Sequence, residues 1–305
     1  MELFDTSFNR LTRPKEIGGY LKVNQTFGTC IAIVLTVTVL FSLLSGSAYA
    51  ITGNYIRDGV KRPYVCLVGV YDENHKWLWR GSGSLISPTV VLTAGHVTEA
   101  PAAYATIWLD EEIAYDPNNP NPNGYPNYDK GAASGVPYTH PGFGYYIDNN
   151  GLVGFITNDV GVVVLSKPVA LDVYGELASV ATVDTLKVGT DVTFVGYGVQ
   201  YQVTPKNNGG PYGAWTGTRA RFYATGNLLS NKYAISSTFI KCSENAAQGK
   251  GGTAFGDSGG PVLLGETNTI LAVTSFGPNS NCAGVGYYCR VDNPVTWEWV
   301  NGYLD

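Results

Sequence analysis

The 305-residue chain carries 44% hydrophobic and only 14% charged residues, too apolar for intrinsic disorder and too long for a miniprotein stapled by disulfides. Its 19 Lys and Arg against 24 Asp and Glu leave a formal net charge of −5, which argues against a basic nucleic-acid-binding surface. Its 38 Gly follow no collagen period, no internal repeat is evident, and 21 Tyr among many Val and Thr point to a mostly β chain.

Residues 1–50 read as an export signal. Arg10, Arg13, Lys15 and Lys22 precede an apolar run from Cys30 to Leu44, interrupted only by Thr36, Thr38 and Ser42, and small residues follow at Ala48 and Ala50. That order fits a secretory signal peptide cleaved after Ala50, and so a secreted protein with no membrane attachment after cleavage. A retained membrane anchor is the competing reading, although the run falls short of the roughly 20 apolar residues a spanning helix needs. Cys30 departs with this segment and Cys66, Cys242, Cys282 and Cys289 remain. Four cysteines in an exported chain suit two disulfides in any of three connectivities. Apolar flanks such as Val65-Cys66-Leu67 would equally suit buried thiols.

Alternating or continuous apolar and aromatic runs predict strands over Tyr64–Tyr71, Trp77–Ile86, Val90–Thr93 and Ala103–Leu109. The pattern returns at Val160–Leu165, Asp191–Tyr197, Arg219–Ala224, Ile270–Ser275 and Val285–Val291, with Gly, Asn, Asp and Pro in the gaps. One amphipathic helix is predicted at Val295–Val300, behind Pro294 and ending near Gly302. The Asn/Pro/Gly/Tyr stretch from Asp116 to Tyr146 reads as a long surface insertion between the early and late strands. Its acidic and amide residues lack regular calcium-ligand spacing, so a solvated loop is expected there and no metal.

Three segments carry chemistry. Leu92-Thr93-Ala94-Gly95-His96 ends a β-branched strand on a small step from which an imidazole can project into a cleft. The ordinary histidine pKa of about 6.5 suits a general base, whereas His75 and His140 lie in Tyr-rich loops and need no such role. Asp159 opens the wholly apolar strand Val160–Leu165, where an isolated carboxylate is costly unless hydrogen-bonded. It reads either as a turn-capping aspartate or as the acceptor for the His96 ring N–H. Phe255-Gly256-Asp257-Ser258-Gly259-Gly260-Pro261-Val262 sets Ser258 between glycines. They allow a tight backbone that exposes the hydroxyl and lets the Gly256 and Ser258 N–H groups converge as an oxyanion hole. A phosphate loop over Gly249–Gly260 is the competing idea, and the Walker spacing is missing.

In the order His, Asp, Ser these segments resemble those of the chymotrypsin (trypsin-like) serine protease family, over most of residues 51–305. Ser84-Leu85-Ile86-Ser87-Pro88, Val195-Gly196-Tyr197-Gly198, Thr274-Ser275-Phe276-Gly277 and Gly286-Tyr287-Tyr288-Cys289-Arg290-Val291 are similar too. The resemblance implies an all-β fold of two six-stranded antiparallel barrels with a short C-terminal helix. The first barrel would span 51–170 with its long insertion, the second 171–305, and the active cleft would lie between them. It further implies a monomeric serine endopeptidase that acts on protein or peptide substrates and uses no cofactor. Ser258 would be the nucleophile, His96 the base and then the acid, and Asp159 the group that orients His96. A non-catalytic binding module on the same scaffold and a serine esterase are the alternatives.

Departures from the family pattern bear on the pocket and the cysteines. Val97 follows His96 and Ala254 stands four residues before Ser258, two places where many relatives have cysteine. The family's pocket segments pair Cys242 with Cys282 and leave Cys66 for Cys289. Gly252 stands where trypsin-like members carry Asp; Gly277 and Gly286 match the other two controlling positions, and Thr253, Phe255, Ser275 and Phe276 complete the pocket. Without a carboxylate at its floor, the pocket is expected to take a large apolar or aromatic residue before the scissile bond, in preference to a basic one. Finally, Ile51-Thr52-Gly53-Asn54 resembles the family's activated N-terminus. Signal cleavage would itself expose the Ile51 amine to pair with Asp257, with no separate zymogen step.

Overall fold

The computed structural model describes residues 51, 53–117, 121, 124–147, 153–203, 214–230 and 238–304. The expected signal segment, and with it the cleavage at Ala50, lies outside them. Among the described residues no helix is long and apolar enough to cross a membrane.

Strands β1 (Val65–Tyr71), β2 (Trp77–Leu85), β3 (Val90–Thr93), β4 (Tyr104–Trp108), β5 (Ala133–Thr139) and β6 (Gly161–Leu165) form the first barrel. It closes in the order β1-β2-β3-β6-β5-β4, with β4 returning onto β1. Strands β7 (Asp191–Gly196), β8 (Phe222–Ser230), β9 (Phe239–Glu244), β10 (Pro261–Leu264), β11 (Thr269–Phe276) and β12 (Gly284–Arg290) form the second. Its ring runs β7-β8-β9-β12-β11-β10, and every pairing is antiparallel. The two rings share one strand order although the sequence shows no repeat. Pairing depends on apolar alternation and connection length, which many unrelated sequences satisfy.

All seven residues of β1 are buried, so this strand lies within packed layers on both faces. One apolar core joins Leu67, Val91, Ile107 and Val163 of the first barrel to Val195, Leu263 and Val273 of the second. A separate core, with Phe194, Ile240, Val262 and Tyr288, fills the second barrel. Arg221, just before β8, ties the barrels together. Its guanidinium donates to Val65 O at 2.9 Å and Leu109 O at 3.1 Å, and pairs with Asp58 Oδ2 at 3.1 Å. The C-terminal helix, Pro294–Asn301, starts where the Asn293 side chain accepts from Val295 N, with Pro294 in its first turn.

Two expectations are corrected. The stretch from Asp116 to Tyr146 is not wholly an insertion, because it contains the barrel strand β5. Gly135 and Pro137 hide that strand from propensity. Val164 O lies where a Gly135 side chain would start, and at Pro137 the strand pairs with β6 alone, so the missing N–H costs no ladder bond. The expected disulfides Cys242–Cys282 and Cys66–Cys289 are not formed; all four described cysteines are thiols. Cys66 and Cys289 sit in the core shared by the barrels and Cys242 in the core of the second, whereas Cys282 packs against Ala254 outside both. Each serves as a small apolar side chain. Burial pushes the Cys66 and Cys282 thiols up to about 12, so they carry almost no thiolate near neutrality.

Candidate active site

After β3 the chain makes a single helical turn, Gly95–Thr98, that aims His96 across the end of the first barrel. A side chain at Gly95 would meet the Phe143 ring at 2.7 Å and Asp159 Oδ1 at 3.2 Å, so only glycine lets His96 and Asp159 approach. Asp159 is fully buried two residues before β6, next to Asn158 in left-handed backbone (φ 43°). Its Oδ1 accepts the His96 backbone N–H at 2.8 Å, and its Oδ2 lies 2.8 Å from His96 Nδ1. The Ser275 hydroxyl donates to the same Oδ2. A carboxylate accepts only, so the Nδ1 proton faces Asp159 and Nε2 is left as the basic nitrogen.

The electrostatics agree with this geometry. Burial disfavours the imidazolium, but the Asp159 charge and hydrogen bond outweigh it and hold His96 above its ordinary pKa. Burial likewise opposes ionisation of Asp159, and His96 together with the Ser275 hydroxyl outweighs it, leaving the carboxyl below the usual range.

The loop from Phe255 to Gly260 is held from both barrels. Ser82, on β2, donates its N–H to Ser258 O at 2.8 Å and its hydroxyl to Gly256 O at 2.9 Å. Gly259 N donates to Thr274 O at 2.8 Å. Gly256 (φ 97°) and Gly259 (φ 80°) supply backbone conformations that other residues rarely adopt. Among the described residues, the N–H groups of Gly256 and Ser258 donate to no protein acceptor. His96 and Ser258 line one cleft of about 300 Å³, though no hydrogen bond joins Ser258 Oγ to His96 in this structure. Such contacts tighten on substrate binding in many enzymes.

Thr253, Phe255, Ser275, Phe276 and Gly277 line the same cleft. Gly252 and Gly286 do not, and both abut the side chain of Glu244. Glu244 is a buried carboxylate on β9, a strand the sequence pattern did not reveal, and it does not itself line the cleft. Nothing in Lys241-Cys242-Ser243-Glu244-Asn245 distinguishes Glu244 from a solvated residue. Ser275 was expected only as a pocket residue, and its bond to Asp159 is an addition.

Ile51 is buried against Ala220, Phe222 and Ala224, and in the uncut chain it carries a peptide N–H instead of an amine. Asp257 Oδ1 accepts from Gly198 N at 2.7 Å and Oδ2 from Ala254 N at 2.9 Å. Complete burial pushes its carboxyl up to about 7 despite these bonds and the charge of Arg80. Among the described residues no group of three or more His, Cys, Asp or Glu converges as a metal site would.

An imidazole oriented by a buried carboxylate, in a cleft shared with a glycine-flanked serine, places the molecule in the class of chymotrypsin-like proteins. The chain belongs to the trypsin family, whose model, Trypsin, matches residues 61–298. Among solved structures it is similar to HL collagenase, at 20% identity and a TM-score of 0.57, covering 82% of this chain and 97% of that one. The Vibrio cholerae VesB protease is similar at 20% identity and a TM-score of 0.54, covering 83% and 67%. A scabies mite inactivated protease paralogue, S-I1, is similar at 18% identity and a TM-score of 0.51, covering 83% and 99%. No curated protein matches the chain.

Proposed function

We propose that the protein is a secreted serine endopeptidase that cleaves protein or peptide substrates through an acyl-enzyme on Ser258. The observation that carries this reading is the doubly bonded Asp159–His96 pair opening on the cleft that Ser258 lines. His96 Nε2 takes the Ser258 proton as the hydroxyl attacks the scissile carbonyl, then returns it to the leaving amine. The N–H groups of Gly256 and Ser258 receive the developing oxyanion. An inactivated paralogue has the same fold, so fold alone does not separate enzyme from binding module. Retention of His96, Asp159 and Ser258 together favours the enzyme. Aromatic walls at Phe255 and Phe276, in a cleft whose described lining holds no carboxylate, support a large apolar or aromatic side chain before the scissile bond.

A fluorophosphonate probe is expected to label the wild-type protein and not Ser258→Ala, with hydrolysis of casein as well as of simple esters. No labelling of the folded protein would favour the binding module, and ester hydrolysis alone the esterase.

The same proposal includes activation by signal cleavage. The buried Asp257 carboxyl lacks an ion-pair partner among the described residues, a deficit that a free Ile51 amine would relieve. Mass spectrometry of the secreted, active protein is expected to find Ile51 first. Full activity in a protein with extra residues before Ile51 would reject this mechanism.

A further inference from the structure

Arg80 and Ser82 lie two apart on β2, so their side chains share one face of that strand. Strand β2 belongs to the first barrel, whereas Gly256 lies on the loop that enters β10 of the second. The Ser82 hydroxyl accepts from Tyr197 N at 2.9 Å and donates to Gly256 O at 2.9 Å. Arg80 Nη1 donates to Tyr197 O at 2.8 Å, so both backbone groups of the buried Tyr197 fix this pair of side chains. The Arg80 guanidinium also packs on the buried Tyr125 ring, 5.0 Å from its centroid. A Cβ built on Gly256 would fall 2.2 Å from Nη1, 2.7 Å from Cζ and 2.8 Å from Nη2, so the guanidinium sits directly against the Gly256 backbone. Arg80 does not itself line the cleft.

We propose that Arg80 and Ser82 are positioning residues for the oxyanion hole, acting on the substrate through Gly256. The inference rests on the endopeptidase reading and adds the groups that hold one of its two N–H donors in place. Gly256, at φ 97°, has no side chain of its own to anchor it, and glycine backbone is the most freely rotating of any residue. An oxyanion donor is effective only when it is aimed before the charge develops, so its direction has to be set from outside. Ser82 fixes the Gly256 carbonyl, and the guanidinium fills the space into which the Cα would otherwise turn. The charge of Arg80 acts in the same sense. It favours ionisation of Asp257, the next residue, and so offsets a carboxylate whose field would oppose negative charge on the substrate. A planar guanidinium can donate to Tyr197 and pack on Tyr125 at once, which a point charge cannot do as well.

Arg80→Met keeps the length of the stem and removes the charge and the donors, while Arg80→Lys keeps the charge and a donor. In the full protein, with active sites counted by fluorophosphonate labelling run to completion, Arg80→Met is expected to lower kcat on a peptide substrate by about 30-fold at unchanged KM. That is less than the roughly 10²–10³-fold for losing an oxyanion donor outright. Arg80→Lys is expected to stay within about 5-fold of the wild type. A peptidyl trifluoromethyl ketone gives a second readout. Its carbonyl carbon bonds to Ser258 Oγ, the hydroxyl proton passes to His96, and its oxygen takes the negative charge. It is expected to bind Arg80→Met about 30-fold more weakly, while the matching peptidyl alcohol, which forms no such adduct, binds both proteins alike. Wild-type kcat in Arg80→Met, or equal weakening of ketone and alcohol, overturns the positioning role. If Arg80→Met does not fold, Ser82→Ala decides by the same two measurements. A folded wild type that neither labels nor hydrolyses any peptide overturns the endopeptidase reading and this role with it, whereas an active wild type with unaffected variants overturns this role alone.

Discussion

Ser258→Ala and His96→Ala are each expected to lower kcat by about 10⁶-fold, and the double variant by no more than either alone. The hydroxyl is a useful nucleophile only while a base removes its proton, so losing either group removes the same step. In this structure the basic Nε2 and Ser258 Oγ are brought into one cleft from opposite barrels, held by Asp159 on one side and Ser82 on the other. The amides of Gly256 and Ser258 would remain in every variant, leaving residual catalysis of about 10³–10⁴-fold over water. Peptide hydrolysis at fixed enzyme concentration, with circular dichroism to confirm folding, checks this. A double variant whose loss is the product of the two single losses would mean that the groups act independently.

Asp159→Asn is expected to lower kcat by about 10⁴-fold and to move the acid limb of the pH profile downward. Asp159 accepts three kinds of donor at once: the His96 backbone N–H, the His96 ring N–H and the Ser275 hydroxyl. An amide cannot accept at both ends. If its NH2 faces Nδ1, the imidazole proton moves to Nε2, where it blocks transfer from Ser258. The direction of the pH shift follows from the same pair. Asp159 holds His96 above the ordinary value of about 6.5, and the reaction needs the neutral ring. Wild-type kcat/KM is therefore expected to rise through a midpoint above pH 6.5, and the residual activity of the variant through a lower one. Equal midpoints would show that His96 is not the titrating base.

The strands β1, β3, β6 and β12 were legible because period-two or continuous β-branched runs sit between strong turn signals. Strand β5 was hidden by Gly135 and Pro137, and β10 by having only four residues behind a glycine-rich turn. The cysteines misled for a different reason. An even count in an exported chain favours bridging, but only the coordinates show each thiol surrounded by its own apolar neighbours.

Sequence alone determined the chemistry on offer at His96, Asp159 and Ser258, because residue type and local backbone demands are written in short contiguous stretches. The glycines around Ser258 and the small step before His96 are constraints of that local kind. Tertiary structure decided what those groups meet. Ser275 reaches Asp159 across 116 positions of chain, and Glu244 enters the space between Gly252 and Gly286 from a strand with no distinguishing pattern. Such meetings depend on how two barrels close and pack, which is a property of many weak pairings summed over the whole chain.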